Sequence, residues 1–90
     1  MAQRFIAIAR VEMAPLHDGA ILWHPTTGKF IMLNRSAAVV WNELSTAKRD
    51  DELVISLCAS FPDVTVAAAQ QDVSELLAQL KELELVLPTA

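Results

Sequence analysis

Glycine is scarce in this chain, with two in ninety residues, and there is one cysteine and no tyrosine. Gly19 and Gly28 alone cannot build a phosphate-cradling loop, so P-loop and dinucleotide fingerprints are excluded, and no G-x-S-x-G elbow is present. The lone Cys58 rules out an internal disulfide and fits a reducing compartment. With His17 and His24 standing singly, it forms no paired-ligand zinc motif. No apolar run approaches the roughly 20 residues of a membrane span. The opening MAQRFIAIARVEM is interrupted by Arg10 and Glu12 too early for a secretory signal. A cytoplasmic location with no membrane partner is the expectation. Basic charge is also short: seven Lys and Arg stand against eleven Asp and Glu, a net charge of −4. The basic residues are scattered, Lys48-Arg49 being their only adjacent pair. Nucleic-acid binding draws much of its affinity from a basic stripe, so no nucleic-acid partner is expected.

Apolar residues make up 53% of the chain, enough for one core, and the length suits a single domain over residues 1–90. Phe5 to Met13 has apolar residues at 5, 7, 9, 11 and 13, with Arg10 and Glu12 on the opposite face, a period of two that predicts a first strand. "APLHDG" (residues 14 to 19) reads as loop, because Pro15 cannot donate to a ladder and Asp18-Gly19 is a turn dipeptide. Ala20 to His24 predicts a second strand. "PTTG" then suits a tight turn, with Pro25 fixing φ and Gly28 free to take φ > 0. Lys29 to Leu33 returns antiparallel as the third strand of a meander. Asn34 or Ser36 can cap a first helix over about 35–44, with Ala37, Val40, Trp41 and Leu44 on its inner stripe. Thr46 or Asp50 opens a second helix, with Leu53, Val54, Leu57, Cys58 and Phe61 inward and acids in its first turn. Thr65 caps a third and longest helix to about residue 83, whose stripe is Ala69, Val73, Leu76, Leu77, Leu80 and Leu83. "LVLP" (residues 85 to 88) closes the chain as a short extended piece. Three strands followed by three helices make an α+β domain, a sheet with helices packed on one side.

Chemistry-bearing residues have bland readings. The two histidines fit surface or turn positions, Cys58 fits core packing on its stripe, and Asp72 with Glu75 fits a solvated helix face. No enzyme, metal or cofactor is expected. The third strand is different. Phe30, Ile31, Met32 and Leu33 are apolar at four successive positions, where a strand covered on one face needs only alternate ones. Between Phe30 and Leu33 its edge carries no charge, proline or bulge. Either helices bury both its faces, or the edge pairs with its twin in a homodimer, or an extended peptide adds to it as a strand. Away from the core stripe, the third helix shows a small, neutral face of Ala67, Gln70, Gln71, Ser74 and Ala78 with Lys81 at its end. Such a face can leave a shallow groove beside a strand.

The stretch "DGAILWHPTTGKFIMLNRSAAVVWNEL" (residues 18 to 44) resembles the signature of PqqD-like proteins, the precursor-peptide recognition elements of ribosomal peptide natural-product pathways. Gly19, Thr27-Gly28-Lys29, Leu33-Asn34, Trp41 and Leu44 carry the likeness, and Asp72-Val73, Leu76-Leu77, Leu80 and Leu85-Val86 continue it. Ala37 and Glu84 stand where the family usually has Gly, and Arg49 where it usually has a Thr cap. The resemblance implies a winged-helix-like fold and a non-catalytic peptide chaperone, as in pyrroloquinoline quinone (PQQ) biosynthesis. The leader of a precursor peptide would add beside the third strand and be presented to a modifying enzyme, such as a radical-SAM protein or a leader peptidase. Carried onto this chain, the peptide site comprises Lys29, Phe30, Ile31, Met32 and Leu33, with Ala67, Gln70, Gln71, Ser74, Leu77, Ala78 and Lys81 from the third helix. The alternative is a winged-helix DNA-binding regulator, which requires a basic recognition helix.

Overall fold

The computed structural model describes residues 3–89, so residues 1, 2 and 90 of the expected domain lie outside the described residues. Its elements are strands β1 (Arg4–Ala7), β2 (Glu12–Leu16), β3 (Gly19–Trp23) and β4 (Phe30–Asn34), helix α1 (Arg35–Glu43), strand β5 (Lys48–Arg49), helices α2 (Asp50–Ser60) and α3 (Val66–Glu82), and strand β6 (Val86–Thr89). They form an α+β domain in which the antiparallel meander β2-β3-β4 is followed by the helices. A second antiparallel sheet, ordered β5-β1-β6, joins the two ends of the chain.

The two sheets correct three expectations. Phe5 to Met13 is not one strand: the backbone turns at Ala9–Arg10, with the Val11 amide donating to the Ile8 carbonyl, so its halves enter different sheets. Alternation specifies which face a side chain takes and is silent about which strand lies alongside. Residues 14–16 are strand rather than loop, and only His17–Asp18 turn between paired Leu16 and Gly19. The closing "LVLP" is more than an extended tail, since Val86 to Thr89 pair with Arg4 to Ala7.

The helix starts follow their caps. Asn34 Oδ1 accepts from the Ala37 amide at 2.9 Å, and Thr65 Oγ1 from the Ala68 amide at 3.1 Å. Neither Thr46 nor Asp50 caps α2. Arg49 stands at that N-cap, and Glu52 reaches back to accept its amide at 2.9 Å. This is the return half of a capping box, the only half available when the cap side chain has no acceptor. The same hydrogen bond, more than the neighbouring Arg49 charge, holds the Glu52 carboxyl below its ordinary range. At the far end of α3 the Glu84 amide bonds the Lys81 carbonyl and the Leu85 amide the Leu80 carbonyl, a Schellman pattern. Glu84 takes the left-handed φ of 61° there, a place glycine usually fills.

One core results. Leu22 and Leu33 from the meander meet Val40, Trp41 and Leu44 of the α1 segment, Leu53 and Leu57 of α2, and the α3 stripe of Ala69, Val73, Leu76, Leu77 and Leu80. Phe5, Leu85 and Val86 join it from the second sheet. Cys58 packs against the cluster from its margin, in keeping with a structural thiol.

Candidate peptide-binding groove

Among the described residues β4 pairs with β3 alone, on one side. Its register follows from the hairpin turn, where the Gly28 amide bonds the His24 carbonyl at 2.8 Å and the His24 amide bonds the Lys29 carbonyl at 2.9 Å. Gly28 sits at φ 74°, as the turn requires, and His24 Nδ1 accepts from the Thr26 amide, which makes this histidine a turn residue. In an antiparallel ladder bonded and unbonded pairs alternate. Counting from the bonded His24–Lys29 pair, Ile31 and Leu33 spend their backbone groups on β3. Phe30 and Met32 aim theirs outward, at the free edge.

Side chains alternate in the same way. Leu33 is buried and Ile31 half-buried against the helices, whereas Phe30 and Met32 are 61% and 67% exposed. The strand is therefore apolar on both faces but covered on one. Gly19 is forced by close approach: a Cβ there would run into the Leu33 carbonyl of the neighbouring strand.

Between β4 and α3 lies a groove of about 210 Å³. Ile31, Met32, Leu33 and Asn34 form one bank, Asp72, Glu75, Leu76 and Gln79 the other, and Val40, Leu57 and Val73 contribute beneath. At one end Lys29, just before the strand, bonds Glu84, just past the helix, with Nζ 3.2 Å from Oε1. That ion pair ties the hairpin to the end of α3.

The expected strand residues thus border a groove, but the expected helix residues do not share it. Gln70 and Ser74 line a separate hollow against α2, with Asp50, Asp51, Val54, Ile55 and Val66. Lys81 lies over the Phe5 ring, 5.1 Å from its centroid. Gln71 donates to Glu75, Leu77 is buried in the core, and Ala67 and Ala78 are exposed outside the groove lining. An amphipathic helix has two flanks beside its buried stripe. Of the residues named from sequence, Gln70, Ser74 and Lys81 occupy the flank turned away from β4, and Leu77 lies in the buried stripe. Asp72, Glu75 and Gln79, spaced three and four apart on the other flank, face it. Asp72 and Glu75 were visible as a carboxylate pair, yet nothing local says which flank meets the strand. The route of the chain through α1 and α2 decides it.

Among the described residues no group of three or more His, Cys, Asp or Glu could hold a metal, and no helix is long and apolar enough to cross a membrane. The Lys48-Arg49 pair is strand β5 rather than a recognition helix, and Arg49 Nε sits 3.0 Å from Asp51 and 3.7 Å from Glu52. Nothing in the structure favours the DNA-binding alternative.

Residues 19–86 match the sequence profile of the family described as coenzyme PQQ synthesis protein D (PqqD). The chain belongs to the PqqD family. Two solved structures are similar over nearly its whole length. One is TbiB1 in complex with the TbiA(beta) leader peptide, 27% identical over 94% of this chain and 98% of that one, with a TM-score of 0.78. The other is a lasso peptide synthetase B1 complexed with the leader peptide, at 24% identity, 93% and 98% coverage and a TM-score of 0.74, a likeness of fold. A search of curated proteins finds no match. For a PqqD-family chain, the groove beside β4 is the feature with a function to explain.

Proposed function

We propose that this protein is a non-catalytic module that captures the leader of a ribosomally made precursor peptide as an added strand on β4. It presents that leader to a modifying enzyme. One observation carries the reading: among the described residues, the outward backbone groups of Phe30 and Met32 are unpaired at an edge that borders a groove. Strand addition uses such an edge for affinity and the adjoining side-chain pockets for selectivity. The similarity to TbiB1, solved with a leader peptide bound, supports the same assignment.

The site in this reading is Phe30 to Leu33 from β4, with Lys29 at its end, facing Asp72, Glu75, Leu76 and Gln79. A leader laid antiparallel or parallel to β4 alternates its side chains between the groove and the outer sheet face, where they pack beside Phe30 and Met32. The enzyme that receives the leader belongs to the radical-SAM or leader-peptidase class, and the work is done in the cytoplasm, where the lone thiol of Cys58 stays reduced. A homodimer through β4 would compete with the peptide for the same edge.

Met32→Pro is the test. It deletes an outward N–H, a change that edge strands tolerate, so the domain should keep its thermal midpoint within a few degrees. Affinity for a leader peptide that the unaltered chain binds should fall roughly tenfold or more, since the lost hydrogen bond leaves the incoming carbonyl unpaired. Unchanged affinity in a folded variant, read by calorimetric titration, would sink the strand-addition reading.

A further inference from the structure

The groove has a charge pattern that strand addition alone does not explain. Its lining includes two carboxylates, Asp72 and Glu75, and no lysine, arginine or histidine. The two cations that flank β4 are already engaged, Lys29 by Glu84 at 3.2 Å and Arg35 by Asp18 at 3.4 Å. Glu75 has a neutral partner, the Gln71 side-chain amide at 3.1 Å, and Asp72 has no ion-pair or side-chain hydrogen-bond partner among the described residues. Asn34 on the opposite bank has Oδ1 occupied by the Ala37 amide and the Ser36 hydroxyl, both at 2.9 Å.

An added strand places its residues opposite Ile31 and Leu33 on the inward side, toward α3. Such a side chain crosses the apolar ground of Val73 and Leu76 before it reaches the two carboxylates. Only a long side chain with an apolar stem and a cationic head suits that path, which means lysine or arginine. An acidic side chain at the same position would meet two like charges.

Resting on the strand-addition reading, we infer that the groove selects precursor segments with a lysine or arginine at an inward-facing position, its stem along Leu76 and its head between Asp72 and Glu75. The two carboxylates set which peptides bind, and the β4 edge sets that a peptide binds at all. Opposite charge across a groove favours the right partner and penalises the wrong one.

The experiment selects a displayed library of random 12-residue peptides on the full chain, then follows β4 amide exchange with a chosen binder. Enriched peptides should share a Lys or Arg at one fixed register and protect the Phe30 and Met32 amides. Replacing that cation by Met, or combining Asp72→Asn with Glu75→Gln, should weaken binding roughly threefold to tenfold and flatten its salt dependence. Combining Asp72→Lys with Glu75→Lys should reverse the preference, toward peptides bearing Glu at that register. Binders that protect both amides but show no basic preference, or that bind the doubly neutralised variant equally well, overturn the charge selection and leave strand addition standing. A selection that yields no peptide protecting those amides overturns both.

Discussion

The sheets β5-β1-β6 and β2-β3-β4 each have three antiparallel strands, but their margins are treated differently. β5 is two residues long and carries Lys48 and Arg49, a short charged edge that discourages pairing. β6 contains Pro88. The bonded pair of Ile8 with Leu85, amide to carbonyl at 3.0 Å, fixes the alternation so that Pro88 falls where an N–H would point outward. β2 is guarded likewise: next to the tight-turn pair Leu16–Gly19, Pro15 stands at an outward position. Both prolines sit where their missing N–H removes a donor from an exposed edge and costs the sheet no ladder bond. β4 has neither device. Three of the four margins are blunted, and the unblunted one borders the groove, so the open edge reads as a retained feature and not as neglect.

The severest way to break this contrast acts on the presenting sheet from within. Gly19→Ala puts a methyl group into the Leu33 carbonyl on the covered side of β4. The strands must part or the backbone must shift, and stability should drop by about 3–5 kcal/mol, a large share of what a domain of this size possesses. Urea denaturation would read it as a midpoint collapse with loss of the meander. Next in size is Ile31→Pro, the partner experiment to Met32→Pro. Ile31 spends its N–H on β3, so proline there removes a ladder bond and should cost roughly 3 kcal/mol. Neighbouring positions on one strand should thus give opposite results, one losing fold and the other losing peptide. Equal destabilisation by the two would show that β4 is not an edge in solution.

A gentler change sharpens the contrast by opening a guarded margin. Pro15→Thr restores an outward N–H on β2 while keeping a residue suited to strands. The fold should stay intact, with stability altered by no more than about 1 kcal/mol from the freer unfolded chain. Self-association should rise with concentration in sedimentation, because β2 would then offer pairing groups of its own. A variant that stays monomeric to high concentration would show that Pro15 guards nothing.

Much of this arrangement was legible in the sequence wherever the signal is local. Asn34 and Thr65 cap their helices as their side chains allow, "PTTG" turns where Pro25 and Gly28 require, and the α3 stripe from Ala69 to Leu80 is buried as its spacing dictates, with Leu83 at its margin. Two local signals misled, Pro15 at a strand position and Arg49 at a helix cap, and the other illegible parts are relations between distant segments. The pairing of Arg4–Ala7 with Val86–Thr89 joins the chain's two ends, and no feature of either strand names the other. The choice between the two flanks of α3 is of the same kind. Small neutral residues pointed to the flank of Gln70 and Ser74, and packing turned that of Asp72 and Gln79 toward β4. Burial periodicity fixes which stripe goes inward, while handedness of the chain path fixes what stands on either side of it.

The smallest expected effect lies where the two sheets are linked. Glu84 ends α3 in the left-handed conformation, feeds the chain into β6 of the closing sheet, and holds Lys29 of the presenting hairpin. Its backbone is strained for a residue with a Cβ, by about 1 kcal/mol. Its ion pair is half-exposed and contributes at most about 1 kcal/mol, commonly far less. Glu84→Gly relieves the first and forfeits the second, so the net outcome should be a gain of roughly 0.5 kcal/mol, seen as a small rise in the urea midpoint. Lys29→Met separates the two contributions, because it removes the ion pair and leaves the backbone unchanged. It should shift stability by less than about 0.5 kcal/mol and leave the Schellman turn intact. If Glu84→Gly instead destabilises the domain by more than Lys29→Met does, the left-handed turn is not the strained element taken here. The tie between hairpin and helix matters to the fold only if Lys29→Met itself costs well over about 0.5 kcal/mol.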